Sequence, residues 1–217
     1  MVEEYFEDKA ATEREWGKIG TWDVGRVTDM SRLFEGRAVF DANIGPWDTS
    51  SVKWMNGMFR VATGDSMRFN QDIGAWDTSS VTDMSEMFEG CYRFDGMIGS
   101  WDMSSVQNLS RMFYRCDAFT GHGIGAWTVS SVTNMERTFC LCPNFNSDIG
   151  SWDTSNVRSM QSMFAYCKTF NKDLSRWDTS SLRDYRLMFT KGRIRAFEAR
   201  NLPPGIDAAR AGRGAWL

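Results

Sequence analysis

Apolar side chains recur along this chain with a long period. Tryptophans at Trp22, Trp47, Trp76, Trp101, Trp127, Trp152 and Trp177 stand about 25 residues apart, each followed by nearly the same series of polar and apolar positions. The third unit, Trp76 to Ser100, reads WDTSSVTDMSEMFEGCYRFDGMIGS. A self-similar period of this size marks a solenoid, in which each unit buries its apolar face only by stacking on its neighbours.

Two apolar rhythms inside a unit predict two elements. Val81, Met84, Met87 and Phe88 follow an i, i+3, i+6, i+7 spacing that suits one face of a short helix. The first unit places Val27, Met30, Leu33 and Phe34 there, and the sixth Val157, Met160, Met163 and Phe164. Ser79 and Ser80 stand where an N-cap is needed, and Ser80 with Asp83 approximates a capping box. The run Phe69, Asn70, Gln71, Asp72, Ile73, matched by 145–149, puts two apolar side chains on one face of an extended segment and predicts the strand of a parallel sheet. The expected fold class is an α/β repeat, a single solenoid with one short parallel strand and one short helix per coil.

Residues Glu3 to Trp16 predict an amphipathic helix that covers the open edge of the first coil. The domain organisation expected is therefore an N-terminal helical cap over 1–21, a seven-repeat solenoid over 22–189, and a C-terminal cap and basic tail over 190–217, with Ile194, Phe197 and Leu202 as the cap's apolar members. Two units break step. Four extra residues within 60–68 predict a surface loop, and one extra residue between Thr120 and Gly123 carries the single histidine, His122.

Composition narrows the function classes. The net charge is −3, which gives no nucleic-acid footprint. The charge is uneven: from Arg176 onward nine Lys and Arg face four Asp and Glu, giving +5 and leaving −8 for the rest. Such a basic tail suits an acidic partner or an anionic surface. No run of apolar residues is long enough for a transmembrane segment, and the first residues have neither the basic nor the apolar region of a secretory signal. Five cysteines, an odd number, argue against a disulfide-built fold.

The repeating pattern WDxSxVxxMxxMFxxCxxFNxDI resembles the BspA-like leucine-rich-repeat surface proteins from Trp22 to about Phe189. That resemblance implies a leucine-rich-repeat solenoid with the FNxDI segment as its strand, adhesion or protein binding at a cell surface, and no catalytic residues to carry over.

Several columns of equivalent residues could carry chemistry. Asp23, Asp48, Asp77, Asp102, Asp153 and Asp178 follow the tryptophans and either accept turn amides or bind a cation such as calcium. Asn70, Asn146 and Asn171 either satisfy turn backbone or, with Asp72, Asp148 and Asp173, form an acidic, amide-rich surface. Cys91, Cys116, Cys142 and Cys167 suit a buried packing position, with pairwise disulfides or a metal site as the other readings. Trp54 is an aromatic where other repeats have a polar residue, either an anchor for a partner or a cover for the inserted loop.

No nucleophile and base constellation surrounds His122, so an enzyme is not expected, and no cofactor is. The function expected is a non-enzymatic protein-binding or adhesion module, with Trp54, Asn70, Gln71, Asp72, Asp148, Asn171 and Asp173 as the candidate contact residues and a protein as the partner. The alternative is a structural subunit docked in a larger assembly. Ice binding through Thr49, Thr78, Thr154 and Thr179 is a third reading.

Overall fold

The computed structural model describes residues 2–61, 67–189, 199–207 and 210–212. It opens on two short helices where the sequence predicts one: α1, Val2–Glu7, and α2, Lys9–Trp16. Asp8 divides them because its backbone leaves the helical region (φ −142°, ψ 88°) and its carboxylate accepts the Ala11 amide at 2.9 Å, an N-cap that starts a new helix. Tyr5 and Phe6 lie edge-on to Trp22, Phe34 and Phe40 of the first repeat, with ring centroids 5.9 to 6.2 Å apart. Glu3 accepts a hydrogen bond from Arg37 at the same junction.

The α/β architecture expected from the sequence, with its leucine-rich-repeat-like helix and strand in every coil, does not form. Among the described residues the repeats hold no α-helix, and their only β-type pairing is a chain of single-residue parallel bridges through Asp29, Trp54, Asp83, Asn108, Asn134, Ser159 and Asp184. The spacing of three that suggested a helix comes instead from consecutive tight turns. In the third repeat the amides of Met87, Glu89 and Cys91 donate to the carbonyls of Met84, Glu86 and Phe88 at 2.9 to 3.3 Å. The intervening amides leave the repeat: Met84, Glu86, Phe88 and Gly90 donate to Asn108, Ser110, Met112 and Tyr114 of the next, at 2.8 to 3.1 Å. In an α-helix every one of these amides would bond within its own segment.

The odd-numbered carbonyls complete the pairing. Those of Asp83, Ser85, Met87 and Glu89 accept amides of Met55, Gly57, Phe59 and Val61 from the repeat before. The remaining amide, that of Ser85, meets the Asp83 carboxylate at 2.8 Å, so Asp83 serves a turn and not the predicted helix cap. Buried backbone groups must find partners, and this ribbon finds them by alternating between its own turns and its two neighbours.

Such a ribbon needs left-handed backbone at fixed places. Ten residues after each tryptophan, Arg32, Gly57, Glu86, Arg111, Arg137, Ser162 and Leu187 have φ between 53° and 63°. Four residues further on, Gly36, Gly90, Arg115, Leu141 and Tyr166 have φ between 62° and 80°. Each non-glycine residue held there costs about 1 kcal/mol, and no α-helix can pass through it.

The predicted strands are absent for a related reason. Phe69 and Ile73 are both buried, but the backbone between them carries no ladder; neighbouring repeats are linked there mainly through side-chain oxygens. Glycine fills the following corner in most repeats because the next repeat lies close. A Cβ on Gly45, Gly74, Gly125 or Gly150 would lie 2.2 to 2.5 Å from a carbonyl oxygen of the next repeat.

Aromatic rings fill the interior. Each of the first six repeats stacks its two phenylalanines face to face, from Phe34 on Phe40 to Phe164 on Phe170, with centroids 3.9 to 4.3 Å apart. Successive repeats continue the stack, as in Phe88 on Phe113 at 5.7 Å and Trp76 on Trp101 at 6.3 Å. Indole nitrogens reach back one repeat: Trp101 donates to the Ile73 carbonyl at 3.0 Å, and Trp47, Trp76, Trp127, Trp152 and Trp177 repeat the bond. Buried indole N–H groups need such partners. At the far end, the Leu174, Leu187 and Phe189 amides donate to the Asn201, Arg210 and Ala211 carbonyls, so these residues lie against the seventh repeat as a further repeat would. Leu202 is half-buried there, whereas Ile194 and Phe197 lie outside the described residues.

Candidate functional site

The predicted contact residues fall in different columns of the repeat, and most are already engaged. The Asn70 carbonyl oxygen accepts the Asp95 amide at 3.0 Å, and its own amide donates to Asp41 at 3.2 Å. Asn171 donates its amide to Asn146 and accepts from Asn201. Gln71 donates to the backbone and side chain of Asp41. Asp72, Asp148 and Asp173 each accept the amide two residues on, from Gly74, Gly150 and Ser175. The structure brings two of them together: Asp148 and Asp173 line one shallow depression of about 390 Å³ with Gly150, Ser151 and Arg176. The amide and hydroxyl of Ser175, and then the charges of Arg176 and Arg200, hold the Asp173 carboxyl below its usual range.

Trp54 lies in the bridge column, apart from those residues. Its neighbours in that column, Asp29, Asp83, Asn108, Asn134 and Asp184, each accept an amide two residues on, which an indole cannot do. Its side chain is 43% exposed. Five of the loop residues it was expected to cover, 62–66, lie outside the described residues.

The aspartates after the tryptophans serve turns. Asp48 and Asp77 each accept both the hydroxyl and the amide of the serine two residues on, at 2.6 to 3.1 Å, and the carboxyls of Asp48, Asp77, Asp102 and Asp153 are held low by those serines. Among the described residues no three His, Cys, Asp or Glu side chains converge as metal ligands. Thr49, Thr78 and Thr154 are buried and donate to carbonyls of the next repeat, so they present no outward array. The cysteine column is buried and free of disulfides. Cys91, Cys116, Cys142 and Cys167 donate to the carbonyls of Phe59, Phe88, Phe113 and Phe139 at 2.8 to 3.2 Å. Burial raises all their thiol pKa values well above the ordinary range.

A groove on the outer edge of the turn ribbon has no counterpart among the sites expected from the sequence. Tyr114, Arg137, Cys140, Leu141, Ser162, Ala165, Tyr166 and Leu187 line a depression of about 520 Å³ across the fourth to seventh repeats. Tyr166 is 37% exposed, whereas Cys140 and Ala165 are buried. Burial pushes the Cys140 thiol up to about 11, against the opposing pull of Arg137 and Arg111.

The same edge of the first repeats is charged. Glu35 pairs with Arg60 at 2.6 Å, Arg60 with Glu86 at 3.3 Å, and Glu89 with Arg111 at 2.8 Å. The Arg60 Nε is buried without a hydrogen bond, and Glu86 supplies its compensating charge. The signal for the groove was available in the sequence: thirteen residues after the tryptophan, Glu35, Arg60 and Glu89 give way to Tyr114, Cys140 and Ala165.

The fold and its columns define a tandem-repeat protein whose units stack through a ladder of turns. The chain belongs to the family described as "Mycoplasma protein of unknown function, DUF285", which matches residues 1–122 and again 107–200. No curated protein and no solved structure matches it. Among the described residues no helix is long and apolar enough to cross a membrane.

Proposed function

We propose that this chain is a non-enzymatic protein-binding or adhesion module that presents a rigid surface of stacked repeats to a protein partner. The observation that carries this reading is the groove of the fourth to seventh repeats, which the exposed Tyr166 and Leu187 line together with the buried Cys140 and Ala165. Aromatic groups at a rigid concave surface are the usual anchors of protein recognition. The polar columns support the same reading from the other side, because their hydrogen-bonding capacity is spent within turns and between repeats.

Kinship with the BspA-like surface proteins rests on the shared WDxSxVxxMxxMF pattern, and a continuous solenoidal rod displayed at a cell surface is part of the proposal. The alternative, a structural subunit held in a larger assembly by its basic tail, rests on a stretch of which 190–198, 208–209 and 213–217 lie outside the described residues. The test is capture from native extract on the immobilised full chain. Recovery of a protein that free chain competes away supports binding. A capture that yields neither protein nor glycan refutes it.

A further inference from the structure

Resting on the binding-module reading, we infer that the groove of repeats four to seven takes an extended, acidic peptide segment of a partner protein that carries an aromatic or large aliphatic side chain. Three observations converge on that occupant. The first is the change in chemistry along one edge of the molecule. In the first three repeats the edge closes on itself through Glu35, Arg60, Glu86 and Glu89, and Glu89 takes two hydrogen bonds from Arg111 at 2.8 and 3.0 Å. Beyond Arg111 the positions thirteen residues after the tryptophans hold Tyr114, Cys140 and Ala165, so nothing charged fills that column.

The second observation is the sign of the charge left at the groove. Arg137 lines it, with Glu136 as its ion-pair partner at 3.4 Å. Arg111 lies 4.7 Å from the ring of Tyr114, another lining residue. Arg115 donates its amide to the Cys140 carbonyl, and its guanidinium lies over Tyr92; among the described residues it meets no carboxylate. Arg60, Arg111, Arg115 and Arg137 thus share Glu86, Glu89 and Glu136, while Glu35 divides between Arg32 and Arg60. The surplus is positive, and it borders an apolar floor. Carboxylates beside an apolar side chain are its complement.

The third observation is where the chain keeps side chains at backbone positions that favour glycine. In the first three repeats glycine takes three of the five left-handed positions, Gly36, Gly57 and Gly90, with Arg32 and Glu86 at the other two. In the fourth to sixth, every one of those positions holds a side chain: Arg111, Arg115, Arg137, Leu141, Ser162 and Tyr166. Four of these line the groove. Strained backbone that retains a side chain where glycine would relax it is characteristic of sites where the side chain is used.

The probe is a fluorescein-labelled synthetic octapeptide alternating glutamate with leucine and tryptophan, with a lysine-for-glutamate version as its counterpart, titrated into the full chain. The acidic peptide is expected to bind at least about tenfold more tightly than the lysine version, and to weaken several-fold as salt shortens the Debye length from roughly 14 to roughly 6 Å. Tyr166→Asn and Arg137→Asp use residues that tolerate left-handed backbone, and each is expected to weaken binding about tenfold. Met97→Ala, at an exposed side chain of the third repeat, serves as the control and is expected to leave the affinity unchanged.

Alkylation of Cys140 in the unsubstituted chain, located by mass spectrometry, is expected to slow several-fold when the peptide is bound, and this readout needs no variant to fold. Equal binding of the lysine peptide, undiminished affinity in both variants, or no protection of Cys140 overturns the inference. So does preferential binding of anionic vesicles at the groove. Capture of the same proteins from extract by the doubly substituted chain removes the groove and leaves the binding module standing, whereas no capture by the unsubstituted chain removes the module itself.

Discussion

Glycines of this chain fall into two kinds, and replacing them with alanine separates backbone strain from steric closeness. Gly36 has φ +73° and no atom within 4 Å of the place a Cβ would take, so Gly36→Ala adds left-handed strain alone. That strain is about 1 to 2 kcal/mol, offset by about 0.4 to 1 kcal/mol because alanine narrows the unfolded ensemble, for a net loss of roughly 0.5 to 1 kcal/mol. Gly57→Ala adds a contact of 3.2 Å with the flexible Arg32 side chain and is expected to cost slightly more. Gly90→Ala combines φ +80° with an approach of 2.7 Å to the Val61 carbonyl oxygen, and Gly125→Ala places a Cβ 2.2 Å from the Asp148 carbonyl oxygen without any positive φ. Relieving either approach means prising two repeats apart, which costs about 2 kcal/mol or more by analogy with overpacked cores.

The assay is equilibrium urea unfolding followed by tryptophan fluorescence, with thermal melts as a second probe. At this chain length each 1 kcal/mol moves the melting temperature by about 2 to 4 °C. The order expected, from least to most damaging, is Gly36→Ala, Gly57→Ala, then Gly90→Ala and Gly125→Ala. A Gly36→Ala chain more stable than the parent would refute the strain account. A Gly125→Ala chain less affected than Gly36→Ala would refute the close stacking of repeats.

Three further outcomes follow from the polar columns and the thiols. Ser159 interrupts a column in which Asp and Asn accept the amide two residues on, so Ser159→Asp is expected to give the Gln161 amide an acceptor and raise stability by about 0.5 to 1 kcal/mol; an unchanged urea midpoint contradicts this. The carboxyls of Asp48, Asp77, Asp102, Asp153 and Asp178 are depressed by serine hydroxyls and amides, so folding favours their ionised form. Their contribution is complete above the unfolded value near 4 and disappears as pH falls through the lower folded values, so unfolding midpoints should be level above about pH 5 and fall below about pH 4. A midpoint that rises on acidification rules this out. With its thiol raised to about 11 and 6% of its surface exposed, Cys140 should alkylate slowly at neutral pH yet before Cys91, Cys116, Cys142 and Cys167, which are fully buried; simultaneous labelling of all five in native buffer contradicts the burial described.

The period and the core were readable because both follow from which side chains avoid water. Trp76, Val81, Met84, Met87, Phe88, Phe94 and Ile98 recur in a fixed order, and all are buried. What joins them was not readable in the same way. A spacing of three is shared by helices and by consecutive tight turns, and the choice between them depends on whether alternate amides stay home or cross to a neighbour. The positive φ at Glu86, Arg111 and Leu187 decides it, and none of those residue types advertises left-handed backbone. Gly57, at the equivalent place in the second repeat, was the available hint.

The same confusion hid the groove. Tyr114, Cys140 and Ala165 form one column and Leu141 and Tyr166 the next, and on a ribbon of turns the two columns share one edge. The polar candidates were visible as columns, but not how far their bonds were already committed. Asn70 looks identical in sequence whether its amide oxygen faces solvent or the Asp95 amide.

The alternation of amides between home turns and the adjacent level gives every junction in the stack the same grammar. The upper surface of one unit offers carbonyls at the depths where the lower surface of any other offers amides, so Trp76 to Ser100 could be excised, or copied, and the flanking units would still interlock. Length in such a chain can therefore drift by whole units under recombination, with the two ends held constant, and a lineage can adjust how far the molecule reaches without reinventing how it folds.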